Sequence, residues 1–351
     1  MKLIYVGDLK KTPDRDWGWI HAFSELGWKV IPYSSAPKYS PSILGRVMRR
    51  MHWGQPARVV ESDLIDLISD INPDWVHFRL PVGFSQKTIS QITARKIIVT
   101  NYFNDDPFSP KALRFYYYRF KKAIPAYDAH FVFREHNIND YINYGAKFVE
   151  HVGPTYDPAK HIYQPNLTGD FISDVAFIGH WENDWRLECL EALHLAGYSI
   201  TLAGSFWDQA VMKSKLSYLA PIRPIFGAAY GETYANVMAG LCFFSKINRD
   251  TWTRRALEIV AVGGVLVCER THEAQSHFVD GEEALMFSSV DELVEQIARL
   301  KRDSTLRMSI QQAGYARLLQ GKNTVLDRAA RMDHFVKGLI KKNGLNQRLM
   351  G

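Results

Sequence analysis

Cysteine is scarce in this chain: three in 351 residues, an odd number. Cys189, Cys242 and Cys268 lie in apolar stretches with no C-x-x-C spacing. That excludes a disulfide framework or a zinc ribbon, and reduced core thiols are expected. Long apolar runs are also missing. No window approaches the ~18 uninterrupted apolar residues of a membrane-crossing helix, and the opening stretch from Met1 to Lys11 reads as a strand followed by charge, not a cleavable signal. A cytoplasmic protein is therefore expected. No repeat at a period of about 20–50 residues is visible and nothing is low-complexity, which excludes solenoid architectures. His136 has no neighbour at metal-ligand spacing and reads as a helix start.

Acid is absent from two places. Residues 26–60 hold Lys29, Lys38, Arg46, Arg49, Arg50 and Arg58 and no Asp or Glu, with Ile43, Leu44, Val47, Met48, Met51 and Trp53 interleaved. Two readings stay open: an exposed insertion with a solvated basic face, or a loop facing an anionic membrane or an acceptor. The stretch Lys111–Pro125 carries five cations and five aromatics, again without acid. It reads as a helix at an interface, with core packing of half the rings as the simpler alternative. Of the net charge of +6, a surplus of 5 lies in residues 1–170. A basic balance suits anionic partners, but no recognised nucleic-acid module is present, so nucleic acid is not expected among them.

What is present is an ordinary globular composition, 46% hydrophobic and 23% charged, long enough for two domains. Strands and helices alternate from the start: strand Leu3–Gly7, helix Trp17–Leu26, strand Trp28–Tyr33, helix Val59–Ile71, strand Trp75–Phe78, helix Phe84–Ile92 and strand Lys96–Thr100. Strand Ala129–Phe133, helix Ile138–Tyr144 and strand Lys147–His151 end the first sheet. Residues 153–170 contain three prolines and few aliphatics and read as the interdomain connection. A second alternating series opens with strand Asp174–Gly179 and closes with helices Asp291–Leu300, Ser304–Leu319 and Asn323–Lys342. The boundaries expected are 1–165 for one α/β domain, 170–325 for the other, and a return to the first domain over 326–351.

The second domain is organised around Phe243–Glu269. A strand runs up to Phe244, the segment Thr251–Val262 has helical periodicity, and Val265–Cys268 is a strand entered through Gly263-Gly264. Such a unit places a helix N-terminus at the carboxyl edge of a parallel sheet, where unpaired N–H groups and the helix dipole favour an anion. Arg254 and Arg255 in the first helical turn oppose that dipole unless an anion bridges them to it. Glu258 shares a face with Arg255, three residues on. It is either half of a surface ion pair or a carboxylate that accepts ribose hydroxyls.

The pattern Arg255-x-x-Glu258-Ile259-x-x-x-Gly263-Gly264 before an apolar strand resembles the donor-site signature of GT-B glycosyltransferases, in particular the CgeB-like spore-maturation group. In the wider retaining families the signature is Glu, seven residues, Glu, then Ala-x-Ala-x-Gly. Here it reads Asp250, seven residues, Glu258, then Ile259 to Gly263, so Asp stands where the family has Glu. The strand end Gly179-His180 with Arg186 downstream resembles the family's donor loop, where glycine lets backbone approach the ligand. The resemblance implies two facing Rossmann-like domains with a C-terminal helix crossing back to the first. It also implies donor-binding roles for Gly179, His180, Arg186, Asp250, Arg254, Arg255, Glu258 and Gly263.

The activity implied is transfer of a sugar from a nucleoside-diphosphate sugar to a glycan or lipid-linked acceptor, in polysaccharide biosynthesis, and the acid-free basic stretches add an expectation of peripheral contact at an anionic membrane. No cofactor and no metal are expected, because Arg side chains and a helix end stabilise the departing diphosphate. Asp14-Arg15-Asp16 spells the D-x-D of the metal-dependent architecture, but its place at a helix start points to capping. On the acceptor side the Asp105-Asp106-Pro107 run resembles a habit of the CgeB-like group, and either acid could act as general base. Adjacent side chains on extended backbone face opposite ways. Asp106 is expected to face the ligand edge because Pro107 restrains it, with Asp105 packing or capping. A nucleotide-sugar epimerase and a catalytically silent binding protein remain as alternatives.

Overall fold

The computed structural model describes residues 1–9 and 13–350. It divides into a first unit, residues 1–153 with the C-terminal helix from Val325, and a second unit, Pro154–Thr324. In the first unit the order is β1 Lys2–Gly7, α1 Pro13–Glu25, β2 Lys29–Ser34, α2 Ile43–Met51, α3 Gln55–Ile71, β3 Trp75–Arg79, α4 Gln86–Thr93, β4 Ile98–Phe103, α5 Tyr118–Ala123, β5 Ala129–Val132, α6 Asn137–Asn143 and β6 Val149–His151. The strands form one parallel sheet in the order β2-β1-β3-β4-β5-β6. Successive residues of β1 serve opposite faces, as the period of two requires. Leu3 and Tyr5 pack with Trp19, Phe23, Met332 and Val336, whereas Ile4 and Val6 pack with Leu64, Ile68, Ile89 and Ile92.

The second unit runs β7 Ser173–Ile178, α7 Arg186–Leu195, β8 Ile200–Ala203, α8 Asp208–Val211, α9 Ala228–Ala235, β9 Val237–Cys242, α10 Arg254–Ala261, β10 Leu266–Glu269, α11 His272–His277, β11 Leu285–Phe287, α12 Val290–Arg302 and α13 Ser304–Gln320. Its parallel sheet has the order β8-β7-β9-β10-β11. Both sheets therefore place their first strand between their second and third. The chain reverses winding direction beside that first strand, and ligands bind such sheets outside the carboxyl ends of the strands at this point. Ala176 and Ile178 of β7 face a core shared with α9 and α10, while Val175 and Phe177 face one shared with α7 and α12.

Helix α14, Val325–Met350, belongs to the first unit. It packs on α1, and Trp28 Nε1 donates to Asp333 Oδ1 at 2.7 Å. The proline-rich stretch after Gly153 is held within the second unit: Gln164 N–H donates to the Val262 carbonyl, and Pro165 lies against Gly263. Cys189, Cys242 and Cys268 are free and buried, and burial pushes the thiols of Cys189 and Cys242 up to about 12. No helix among the described residues is long and apolar enough to cross a membrane.

Two local expectations are corrected. The single helix expected over Lys111–Pro125 forms only as α5, and residues 109–117 make turns. Side chains there take the backbone donors, with Phe108 N bonded to Asp106 Oδ1 and Lys111 N to Ser109 Oγ, and such local bonds compete with helix. Residues 26–60 are more regular than a loop. They contain α2, whose first turn is capped by Ser42 accepting from Gly45 N.

Candidate functional site

At the winding reversal of the second sheet, β7 ends at Ile178 and β9 at Cys242, with α10 following the loop after β9. That loop is held from outside. Glu182 accepts from the backbone N–H of Lys246 and Ile247 at 3.1 and 3.3 Å, and Asp250 N–H closes a turn on the Ser245 carbonyl. Thr251 Oγ1 donates to Glu273, Thr271 Oγ1 donates to the Thr251 carbonyl at 2.6 Å, and buried Trp252 stacks on His277 at 4.6 Å. Thr253 then enters α10 in extended conformation without a side-chain cap bond. The result is a rigid approach to a helix N-terminus whose N–H groups suit an anion.

Arg255 reaches back from the first turn of α10 to the end of β7. Its Nε donates to the Ile178 carbonyl at 2.8 Å, and its guanidinium lies 5.0 Å from the Phe177 ring centroid. A Cβ at Gly179 would stand 2.7 Å from Arg255 Nη2, so the glycine there makes room for the guanidinium. Gly204 is constrained more severely: at φ +143° its Cβ would fall 1.8 Å from the Gly179 carbonyl oxygen. That carbonyl also accepts from Trp207 Nε1 at 2.7 Å.

Glu258 is 7% exposed. Oε1 lies 2.9 Å from Arg254 Nε and 3.7 Å from His161 Nε2, while Oε2 accepts from the Tyr230 hydroxyl at 2.7 Å. Burial pushes this carboxyl up, but Arg254, His161, the Tyr230 hydroxyl and Arg255 together outweigh burial and hold it below its ordinary value. Glu258 is therefore a charged, oriented acceptor. A carboxylate has about four lone-pair positions, so each oxygen retains capacity for a ligand hydroxyl. The ion pair is with Arg254, one helical turn back at i,i+4, and not with Arg255 as the sequence suggested, because Arg255 is held at β7.

Arg186 has a different task from the one expected. It is buried, with Nε and Nη2 each 2.7 Å from the Asp184 carboxylate and Nη1 donating to the His180 carbonyl. This bidentate fork fixes the loop between β7 and α7 and leaves the guanidinium committed within the protein. His180 itself is exposed beside Phe206. Gly263, at φ +88°, ends α10 in the left-handed conformation and packs its Cα against Pro165, where a Cβ would approach to 2.9 Å. Its role is to stop the helix and admit the chain before β7.

The sequence reading passed over several participants. Lys246 pairs with Glu269 at 2.7 Å, and Glu269 also accepts from Trp185 Nε1, which puts a half-exposed ammonium at the same sheet edge. Tyr230 and His161 approach Glu258 from α9 and from the connection. Lys246 stood inside the organising stretch and was legible there; Tyr230 and His161 carried no local signal.

In the first unit the winding reversal holds a buried pair, Asp16 Oδ1 with Arg79 Nη1 at 3.0 Å, and Tyr5 donates to the same carboxylate. The side chains of Asp14 and Arg15 lie outside the described residues. Asp106 is 1% exposed and accepts from Phe108 N and from Asn137 Nδ2, both at 3.0 Å, with His136 Nε2 3.6 Å away. Asp105 is half-buried. The expected orientation is thus reversed: Asp106 turns inward because the turn after β4 recruits its carboxylate as a backbone acceptor, and Asp105 is the more accessible acid.

Residues 186–333 match a family model described as glycosyl transferase-like. No curated protein sequence matches. Among solved structures the chain is similar to sucrose-phosphate synthase from Thermosynechococcus elongatus, with a TM-score of 0.69 and 10% identity over 97% of this chain and 100% of that one. It is also similar to HepE of Anabaena in complex with UDP-glucose, with a TM-score of 0.64 and 12% identity over 96% and 100%. A UDP-forming trehalose-phosphate synthase from Burkholderia xenovorans scores 0.65 at 13% identity over 96% and 99%. At these identities the likeness shows the fold, which is the GT-B architecture of two Rossmann-like domains.

Proposed function

We propose that the protein is a glycosyltransferase whose second unit binds a nucleoside-diphosphate sugar and whose first unit binds the acceptor. The observation that carries this reading is Glu258: a buried, charged carboxylate oriented by Tyr230 and Arg254 on the helix whose N-terminus opens at the sheet's winding reversal. In this reading the carboxylate accepts the ribose hydroxyls, while the N–H groups of α10, with Arg255 and Lys246, face the diphosphate. The match of residues 186–333 to a glycosyl transferase-like model and the UDP-glucose bound by HepE support it.

An acceptor hydroxyl attacks the anomeric carbon, the bond from that carbon to the diphosphate oxygen breaks, and the nucleoside diphosphate leaves with the electron pair. The charge that develops is met by cationic side chains and the helix end, so metal-independent transfer is part of the proposal. The hydroxyl proton passes to a carboxylate such as Asp105 or to the departing phosphate. We place the chain nearest the CgeB-like group on the Arg255-to-Gly264 and Asp105-to-Pro107 patterns, with a bacterial surface glycan or its lipid-linked precursor as acceptor.

Calorimetry and thermal shift with UDP, GDP, ADP and TDP test the donor site. One of them at about a hundred times its dissociation constant should add about 2.7 kcal/mol. Glu258→Ala should weaken that nucleotide by about 10- to 100-fold, the loss of a charge-assisted hydrogen bond or two. Binding that is unchanged in Glu258→Ala would remove the assignment. Release of nucleotide with inversion of a sugar centre and no acceptor would instead indicate an epimerase.

A further inference from the structure

Helix α2 is built the wrong way round for folding. Ile43, Val47 and Met51 recur every four residues with Leu44 beside them, so they form one stripe, and Arg46, Arg49 and Arg50 lie on another side. An amphipathic helix normally turns its apolar stripe to the core. Here Ile43 is 74% exposed and Leu44 61%, and Val47 and Met51 are exposed as well. The helix instead rests on Gly45, where a Cβ would stand 2.1 Å from the Ser40 carbonyl oxygen, and on Met48, which lies against Gly54. Gly45 is the one buried residue of the helix.

The exposed surface continues across a second segment. His52, the C-cap of α2, contacts the Tyr116 ring at 4.5 Å, and its carbonyl accepts from Arg119 Nη1 at 2.6 Å. This ties α2 to residues 113–119, where Phe115 is 69% exposed and Leu113 and Tyr118 are exposed too. Trp53, the residue after His52, is 56% exposed. Cations predominate around this apolar area, with Lys38, Arg46, Arg49 and Arg50 in and before α2 and Lys111, Arg114 and Lys122 in the second segment, while Asp8 and Asp105 are the acids whose charge reaches Tyr116. Glu61, the acid that follows the acid-free stretch, is committed to Arg119, Ser85 N and Thr88.

From this arrangement we infer that α2 with residues 113–118 is a docking surface for an anionic lipid bilayer. The cations meet the headgroup phosphates, and Ile43, Leu44, Val47, Met51, Trp53 and Phe115 enter the boundary below them. The excess of positive charge selects this occupant. A second copy placed symmetrically on the same patch would set cations against cations. A nucleic-acid strand would find aliphatic side chains on α2, where stacking aromatics are needed. The inference is independent of the donor site, which lies in the other unit.

The test is flotation of the full-length protein with vesicles of phosphatidylcholine alone or mixed with phosphatidylglycerol, at low and high salt. Wild type should float with the mixed vesicles and release as salt rises. The triple change Arg46→Gln, Arg49→Gln and Arg50→Gln should weaken vesicle binding about a hundredfold, at about one cation's share of surface attraction each. Leu44→Ser with Val47→Ser should weaken it comparably, and because both residues are exposed the melting temperature should stay at the wild-type value. Affinity for whichever nucleoside diphosphate the donor-site test identifies should be unchanged in both variants, which separates failure here from failure of the donor site. Absence of flotation at low salt overturns the inference, as does equal binding by wild type and both variants. Self-association in sedimentation velocity that Leu44→Ser and Val47→Ser abolish would assign the surface to a second copy and overturn it as well.

Discussion

The residues of the candidate site are distinguished less by type than by what else they bond. Two adjacent acids show this. Asp106 is an inward acceptor for a backbone N–H and an amide, whereas Asp105 stands half-buried at the same strand end. Asp106→Asn can keep an amide oxygen on Phe108 N and Asn137 Nδ2, which both bond Oδ1, but it removes the buried charge and sets an NH2 beside His136 in place of Oδ2, and should destabilise the fold by about 1–3 kcal/mol. Asp105→Asn should lower stability by less. If Asp105 takes the acceptor's proton, turnover in Asp105→Asn should fall by about 10²–10⁴-fold with nucleotide affinity retained. Chemical denaturation and steady-state rates on both variants check this; near-normal turnover in Asp105→Asn would shift proton acceptance to the departing phosphate.

At the scale of elements, the loop from Gly179 to Arg186 and the loop from Ser245 to Thr253 are both fixed before any ligand arrives, which limits the ordering cost of binding. The Asp184–Arg186 fork holds the first and Glu182 links it to the second, through two backbone amides and a 3.6 Å approach to Arg186. Arg186→Lys keeps the charge but loses the planar fork. The expected outcome is a loss of stability of about 1.5–3 kcal/mol, as for a hydrogen bond to a charged group, with nucleotide affinity changed only a few-fold. A calorimetric loss beyond a hundredfold, with melting unchanged, would show that Arg186 touches the phosphates after all.

The whole molecule carries a pH dependence that originates in the first unit. His77 and His130 are fully inside, and burial pushes each down to about 3, with Arg79 adding to the effect at His77. Thr100 Oγ1 satisfies His77, and Asn101 with the Ile124 carbonyl satisfies His130. Below the unfolded value of about 6.5 the unfolded chain binds protons that the native state refuses, so stability is lost as pH falls. Each histidine should contribute a slope of about 1.4 kcal/mol per pH unit between roughly pH 6.5 and 3. Glu258 acts later in the same direction, since its lowered value means that stability present at neutral pH is lost as the acid range is entered. Urea unfolding from pH 7.5 to 5 measures the histidine part. A flat profile would show that both imidazoles accept protons in the native state.

Much of this was legible in the amino-acid order. Apolar stretches alternating with helical periodicity determined two parallel sheets, because strands covered by helices on both faces are buried throughout and mostly apolar, as β3 and β4 are, with His77, Arg79, Thr100 and Asn101 as their buried polar exceptions. The strand, loop, helix and strand over Phe243–Glu269 determined where a ligand edge would be, since α10 must start at the carboxyl end of β9. The helix expected over Lys111–Pro125 failed because side-chain turn bonds outweighed composition, and α2 was missed because it is short and turns its apolar stripe outward. Only the tertiary structure decided which partners the charged residues take. Arg254 rather than Arg255 meets Glu258, Arg186 turns to Asp184, Asp106 turns in, and His161 arrives from the connection. A side chain several bonds long can choose among every donor and acceptor the fold brings within reach, and most of those come from other elements, where neither periodicity nor spacing along the chain can register them.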